Sequence, residues 1–224
     1  MNKVPIFQNL KNFDFDGKKA LNAVIKTSDY HTVKQAIASL TCFTHPETVG
    51  QTQNKSLFKI IRCQNNSDRE KFLLEDNQKT FMFDDNTSPT DTFLWANGIK
   101  RNYRDVQFNH IWSDDGDGGI YTSLANICVT PSFLAKLTDN DPDIVSLLRY
   151  RAYELFDGFK PKNEEPPEKP KEYNFLKWAK PLSPTDNLEQ NYRQAMSTKP
   201  RNRAVKSARE IGWYFSNFSP DLSL

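Results

Sequence analysis

The sequence predicts a mixed α+β fold with a helical N-terminal part, a strand-rich middle and a C-terminal tail that docks on the main body or on a second subunit. Three observations support this. Apolar residues recur at helical spacing between 21 and 40. From about 56 the texture changes to short β-branched and aromatic runs separated by polar turns. Beyond a Pro/Lys/Glu stretch, the tail still carries Trp178, Trp213, Tyr214 and Phe215, which need something to cover them. The division that follows is a main domain over 1–158, a linker over 159–173 and a basic, aromatic tail over 174–224.

Each element has its own signal. Leu21, Val24 and Ile25 share one helical face, and Val33, Ala36, Ile37 and Leu40 form a second. His31 opens that second helix and His45 follows it, before Pro46; both read as capping or surface residues. SLFKIIRC, TFMFDD and TFLWANGI read as strands, with NNSDRE and DNTSPTD as turns between them. Over 106–112, Val106, Phe108, His110 and Trp112 alternate with Gln107, Asn109 and Ile111, a further strand. SDDGDGG is a loop, because no regular element tolerates three glycines and three acids so close together. PSFLAKL, opening on Pro131, is a short helix. DNDPDIVSLLRYRAYELF is a longer one, with Asp141 as cap, Pro142 at the first position and an apolar stripe of Ile144, Leu147, Leu148, Leu155 and Phe156. FKPKNEEPPEKPKEY has almost nothing to bury.

Composition narrows the function class. A hydrophobic share of 37% and a mean hydropathy of −0.72 are polar for one compact globule, while 12% aromatic residues argue against disorder throughout. No apolar run approaches the roughly 20 residues that span a bilayer, and the N-terminal stretch has no secretory pattern, so a cytoplasmic protein is expected. Cys42, Cys63 and Cys128 are too scattered for a zinc knuckle or a disulfide framework. The net charge is only +2, but cations cluster. Lys199–Arg209 holds five and no acid, and Lys100-Arg101-Asn102-Tyr103-Arg104 is a shorter cluster. Such clusters contact phosphates even at small net charge; a solvated helix face is the plainer alternative.

Several chemistries are absent. There is no GxSxG elbow, no Walker loop and no HExxH. DDGDGG has neither the spacing nor the terminal glutamate of a calcium loop. Cys128, between Ile127 and Val129, reads as a small core residue. Pro142-Asp143 and Asp16-Gly17-Lys18 stand in the wrong order for a restriction-type carboxylate site.

What remains is FNHIW, an acidic glycine-rich loop, LANICVT and then a helix. Over residues 106–139 this resembles the HNH, or ββα-metal, nuclease family, in which a strand-end histidine and flanking ligands sit on a hairpin crossed by a helix. The resemblance implies a ββα unit over about 104–139, in which His110 is the general base that deprotonates a water; a neutral imidazole suits that work near pH 7. It implies Asn109 as the metal ligand before the histidine, where the family commonly has Asp. Asn126 would bind the ion or staple the loop. The implied ion is Mg²⁺ or Mn²⁺, favoured by hard oxygen donors. The family's third residue falls at Ala135, which cannot ligate; Asp139 or Asn140 stands in its place if the helix register differs.

The expected activity is therefore metal-dependent hydrolysis of double-stranded DNA, with a type II restriction endonuclease acting as a homodimer as the narrower reading. Arg101, Arg104, Arg201, Arg203, Lys206 and Arg209 are the candidate DNA contacts. The alternative is a non-catalytic DNA-binding or protein-interaction module carrying a degenerate hairpin, in which His110 is a packed core residue beside Phe108 and Trp112.

Overall fold

The computed structural model describes residues 16–113 and 117–216; residues 1–15, 217–224 and the Asp114-Asp115-Gly116 part of the acidic loop lie outside the described residues. It is a mixed α+β fold built on two small sheets.

Helices α1 (Gly17–Lys26) and α2 (Val33–Leu40) form the N-terminal part. Asp16 caps α1 by accepting from the Lys18 and Lys19 amides at 2.9 and 3.0 Å, and Thr32 caps α2. Ile25 and Ile37 are buried, whereas Val24 is 67% exposed, so the apolar face of α1 is only partly covered by the described residues. His45 caps α3 (Pro46–Gly50), its Nδ1 accepting from the Glu47 amide at 3.2 Å, which is the role expected of it.

One sheet joins β2 (Ile60–Arg62), β3 (Phe72–Glu75) and β4 (Gln78–Asp84) in the order β2-β4-β3. A two-residue turn, Asp76-Asn77, with φ of 49° and 62°, connects β3 to β4. Helix α4 (Thr87–Ala96) follows. Its C-terminal half is the first five residues of TFLWANGI, a segment that its aromatic and β-branched content marks as a strand; that expectation is corrected. Every residue of α4 from Ser88 to Ala96 is buried, so the helix has no polar face to give it a helical period. Thr90 and Thr92 turn their hydroxyls onto the Asn86 and Ser88 carbonyls at 2.8 Å, which hides their polarity within the helix.

The other sheet is antiparallel and joins β1 (Cys42–Phe43), β6 (Ile127–Pro131) and β5 (Val106–His110) in the order β1-β6-β5. In the β5–β6 hairpin, Asn109 lies opposite Cys128 and His110 opposite Ile127. Helix α5 (Ser132–Asn140) packs across both strands, and α6 (Pro142–Leu155) packs on α5. Asp141 and Pro142 begin α6 as expected, the Asp141 carboxylate accepting from the Asp143 amide at 3.2 Å.

Between Leu155 and Tyr173 the chain runs largely exposed, fixed at its ends by the buried Phe159 and Tyr173. The tail docks on the main body. Backbone bonds tie Ala179 to Ala38 and Leu182 to Phe43, both at 2.9 Å. Helix α7 (Leu188–Thr198) lies on α4, with the Tyr192 hydroxyl donating to the Thr92 carbonyl at 2.7 Å. Helix α8 (Arg203–Ile211) lies on β4, and beyond it Trp213 stacks on Phe58 at 5.9 Å. None of the helices among the described residues is long and apolar enough to cross a membrane.

Candidate functional site

The site grows from the β5–β6 hairpin. Alternation along β5 sends Phe108 and His110 to one face and Gln107 and Asn109 to the other. Phe108 is pinned between Phe93 and Tyr103, with ring centroids 5.5 and 5.1 Å away. His110 lies flat on Tyr121 at 4.9 Å, and its Nε2 is 2.9 Å from the Tyr121 carbonyl. A carbonyl oxygen only accepts, so Nε2 carries a proton, and in the neutral ring Nδ1 is the nitrogen able to take one. The contact with the Tyr121 carbonyl thus sets the tautomer of the neutral ring, and the stack on Tyr121 adds to its orientation.

Asn109 is buried. Its amide nitrogen donates to the Gln107 carbonyl at 3.1 Å and to the Thr130 hydroxyl at 2.9 Å, leaving Oδ1 without a donor among the described residues. Asn126 is 1% exposed, and its carboxamide is bound into the loop. Oδ1 accepts from the Trp112 amide at 2.8 Å, while Nδ2 donates to the carbonyls of Trp112 and Ile120 at 3.1 and 3.3 Å. Of the two roles the resemblance allows for Asn126, these hydrogen bonds are those of a staple.

The described part of the loop is fastened to the segment before β2. Ser56 donates its amide to the Gly119 carbonyl at 3.0 Å. Thr122 exchanges hydrogen bonds with the Phe58 backbone, both at 3.0 Å, and the Ser123 hydroxyl donates to Asn54 at 2.7 Å. Hydroxyls and backbone therefore shape this half of the loop.

The hairpin edge, α5 and α6 enclose a cleft of about 400 Å³, lined by Arg62, Asn109, His110, Lys136, Asp139 and Arg149 among others. Ala135 is buried and cannot contribute, but Asp139 lies one turn further along α5 and reaches the cleft, whereas Asn140 is not part of its lining. The cleft is thus lined by a histidine, by Asn109 and Asp139 among several oxygen-bearing residues, and by three cations. Among the described residues no group of three or more His, Cys, Asp or Glu side chains is assembled in a way that could hold a metal. Asn109 and Asp139 are the lining residues among those expected from the sequence that carry an amide oxygen and a carboxylate. Hard oxygens of this kind suit Mg²⁺ or Mn²⁺, which keep several waters and need few protein ligands.

The expected DNA contacts divide. Arg104 and Arg201 are exposed. Arg209 is exposed too and donates to the Pro200 carbonyl at 3.2 Å. Arg101 is paired with the buried Asp91 at 2.9 Å. Arg203 and Lys206 are engaged in ion pairs within the fold. Arg203 bridges Asp84 at 2.8 Å and both Asp85 and Glu70 at 3.2 Å, and Lys206 holds Glu70 at 2.9 Å. A charge run in the sequence does not disclose which of its members face acids across the fold.

Sequence reasoning missed Arg62, Lys136 and Arg149. Lys136 was discoverable, since it stands three residues before Asp139 on one helix and so shares its face. The other two arrive through packing of distant segments. Cys128 is inert, its thiol pushed up to about 12 by burial. No protein-family model, curated protein or solved structure matches the chain.

Proposed function

We propose that this protein is a metal-dependent endonuclease that hydrolyses phosphodiester bonds of double-stranded DNA, with His110 as general base. The carrying observation is the cleft itself: a strand-end histidine, oxygen-bearing residues that include Asn109 and Asp139, and three cations line it where a helix crosses a hairpin. The HNH family provides the template for reading it.

In this reading His110 takes a proton at Nδ1 from the attacking water, while its Nε2–H stays on the Tyr121 carbonyl and the Tyr121 ring limits rotation. Water oxygen bonds to phosphorus, the bond from phosphorus to the leaving oxygen breaks, and solvent returns a proton to that oxygen. Asn109 and Asp139 would hold Mg²⁺ or Mn²⁺. When bound, such an ion offsets the negative charge that develops on the phosphoryl oxygens. Asn126 keeps the loop closed so that His110 and Tyr121 stay in register.

The narrower reading is a type II restriction endonuclease acting as a homodimer, each protomer cutting one strand of a palindromic site. The competing reading, a DNA-binding or interaction module with a degenerate hairpin, draws on Asn109, an amide where the family carries an acid. Incubating plasmid DNA with the protein and Mg²⁺, Mn²⁺ or EDTA separates them. Discrete fragments with either metal and none with EDTA are expected. A smear would leave nuclease activity but remove the restriction reading, and intact plasmid under all three conditions would leave only the binding module.

A further inference from the structure

Arg149 lies on α6, beyond the hairpin and its helix, yet it lines the cleft that holds His110. Its guanidinium rests on the Trp112 ring, 4.4 Å from the centroid. That ring does not float. The Asn126 carboxamide grips the Trp112 backbone at both its amide and its carbonyl, so the bond set that closes the loop also fixes the platform beneath Arg149. Stacking occupies a face of the planar group and leaves the N–H donors around its edge directed elsewhere.

Several other arginines among the described residues pair with acids. Arg101 pairs with Asp91, Arg203 with Asp84, Asp85 and Glu70, and Arg69 with Asp85. Arg149 forms no ion pair or hydrogen bond with the described residues, and its Nε is buried without an acceptor. With Nε buried, the terminal nitrogens of the guanidinium, which have no acid partner among the described residues, are the donors left for an anion. A phosphate matches the fork of donors.

We infer that Arg149, held on the Trp112 ring, grips the phosphate of the nucleic-acid backbone in the cleft and sets it against His110. This assigns the site's phosphate contact and rests on the nuclease reading. It also gives Asn126 a second consequence: the residue that staples the loop positions the phosphate grip through Trp112.

The test uses two backgrounds of the full chain. In the first, His110→Ala removes the base, and duplex DNA affinity is measured across a salt series with and without Arg149→Met. Losing one phosphate contact should weaken binding and reduce the slope of log affinity against log salt by about 1. In the second, with His110 present, Arg149→Met should lower kcat by about 100-fold or more at an unchanged melting temperature. Arg149→Lys keeps the charge without the fork, so it should preserve the salt slope while kcat stays well below wild type.

An unchanged slope together with retained cleavage would overturn the inference and leave Arg149 as a packing residue. If wild-type protein does not cut DNA, the nuclease reading fails by itself, and the salt slope still decides whether Arg149 holds a phosphate. Should Arg149→Met fail to fold, the Lys variant carries the test, and wild-type kcat in it would overturn the inference.

Discussion

Asn126 shows how much one side chain can decide. Its carboxamide satisfies a backbone N–H and two backbone carbonyls in a setting closed to water. Asn126→Ala leaves those groups unpaired, so a loss of about 2–4 kcal/mol is expected from chemical denaturation. Asn126→Asp should do no better, because a carboxylate would face two carbonyls where an amide now donates. An Asp variant as stable as wild type would contradict the staple. A related prediction concerns His110. Nitrogen-resolved NMR of the neutral ring should find the proton on Nε2, the atom facing the Tyr121 carbonyl, and a proton on Nδ1 would remove the basis for its proposed role. His110, Asn109 and Asn126 were legible in the sequence because their relations are local to one hairpin. Arg149 and Arg62 were not, since their places depend on where distant segments pack.

At the scale of elements, the strands around the hairpin and the capped α6 could be read from pattern, while α4 could not. A helix buried on every side carries no amphipathic period, and its Thr, Phe and Trp content imitates a strand. The acidic loop offers a sharper case. Its glycines mark a turn, but the reason for Gly118 is tertiary: a Cβ there would stand 2.0 Å from Cε1 of Phe81 on β4. Gly118→Ala should therefore cost about 1–3 kcal/mol as the loop or the ring is displaced. Adding Phe81→Leu should recover part of that loss. Strict additivity of the two substitutions in a double-mutant cycle would show that the clash is not what Gly118 avoids.

Across the whole molecule, the tail is held to the β2-β4-β3 sheet by charge as well as by aromatic packing. Asp84 is 0% exposed, and burial pushes its carboxyl above the usual range, with the Ser88 hydroxyl and the Arg203 guanidinium offsetting only part of that. Lys206 and then Arg203 hold Glu70 below the usual range. Burial raises Asp85, but hydrogen bonds at Thr87 and the charges of Arg203 and Arg69 carry it below its ordinary value. The signs differ. The stabilisation from Glu70 and Asp85 is present above their unfolded values near pH 4 and disappears as pH falls through their lower folded values. Asp84 favours the proton in the folded state, so its penalty eases as pH falls toward its raised value.

Arg203→Met should therefore cost about 3 kcal/mol near pH 7, where it strands a buried carboxylate, and less as the pH approaches that of Asp84 protonation. Melting temperatures of wild type and variant across pH 7 to 4 would check this, and a gap that widens on acidification would contradict it. The basic run over 199–209 was plain in the sequence, but the acids that claim Arg203 and Lys206 lie more than a hundred residues away.

The central claim is that His110 acts as the base in a cleft that binds DNA. Single-turnover cleavage of a DNA duplex in Mg²⁺, comparing wild type with His110→Ala, tests it most directly, with duplex affinity measured in parallel. Wild type should cut, and the variant should bind the same duplex while its cleavage rate falls by about 100-fold or more. A variant that cuts at the wild-type rate would contradict the assignment.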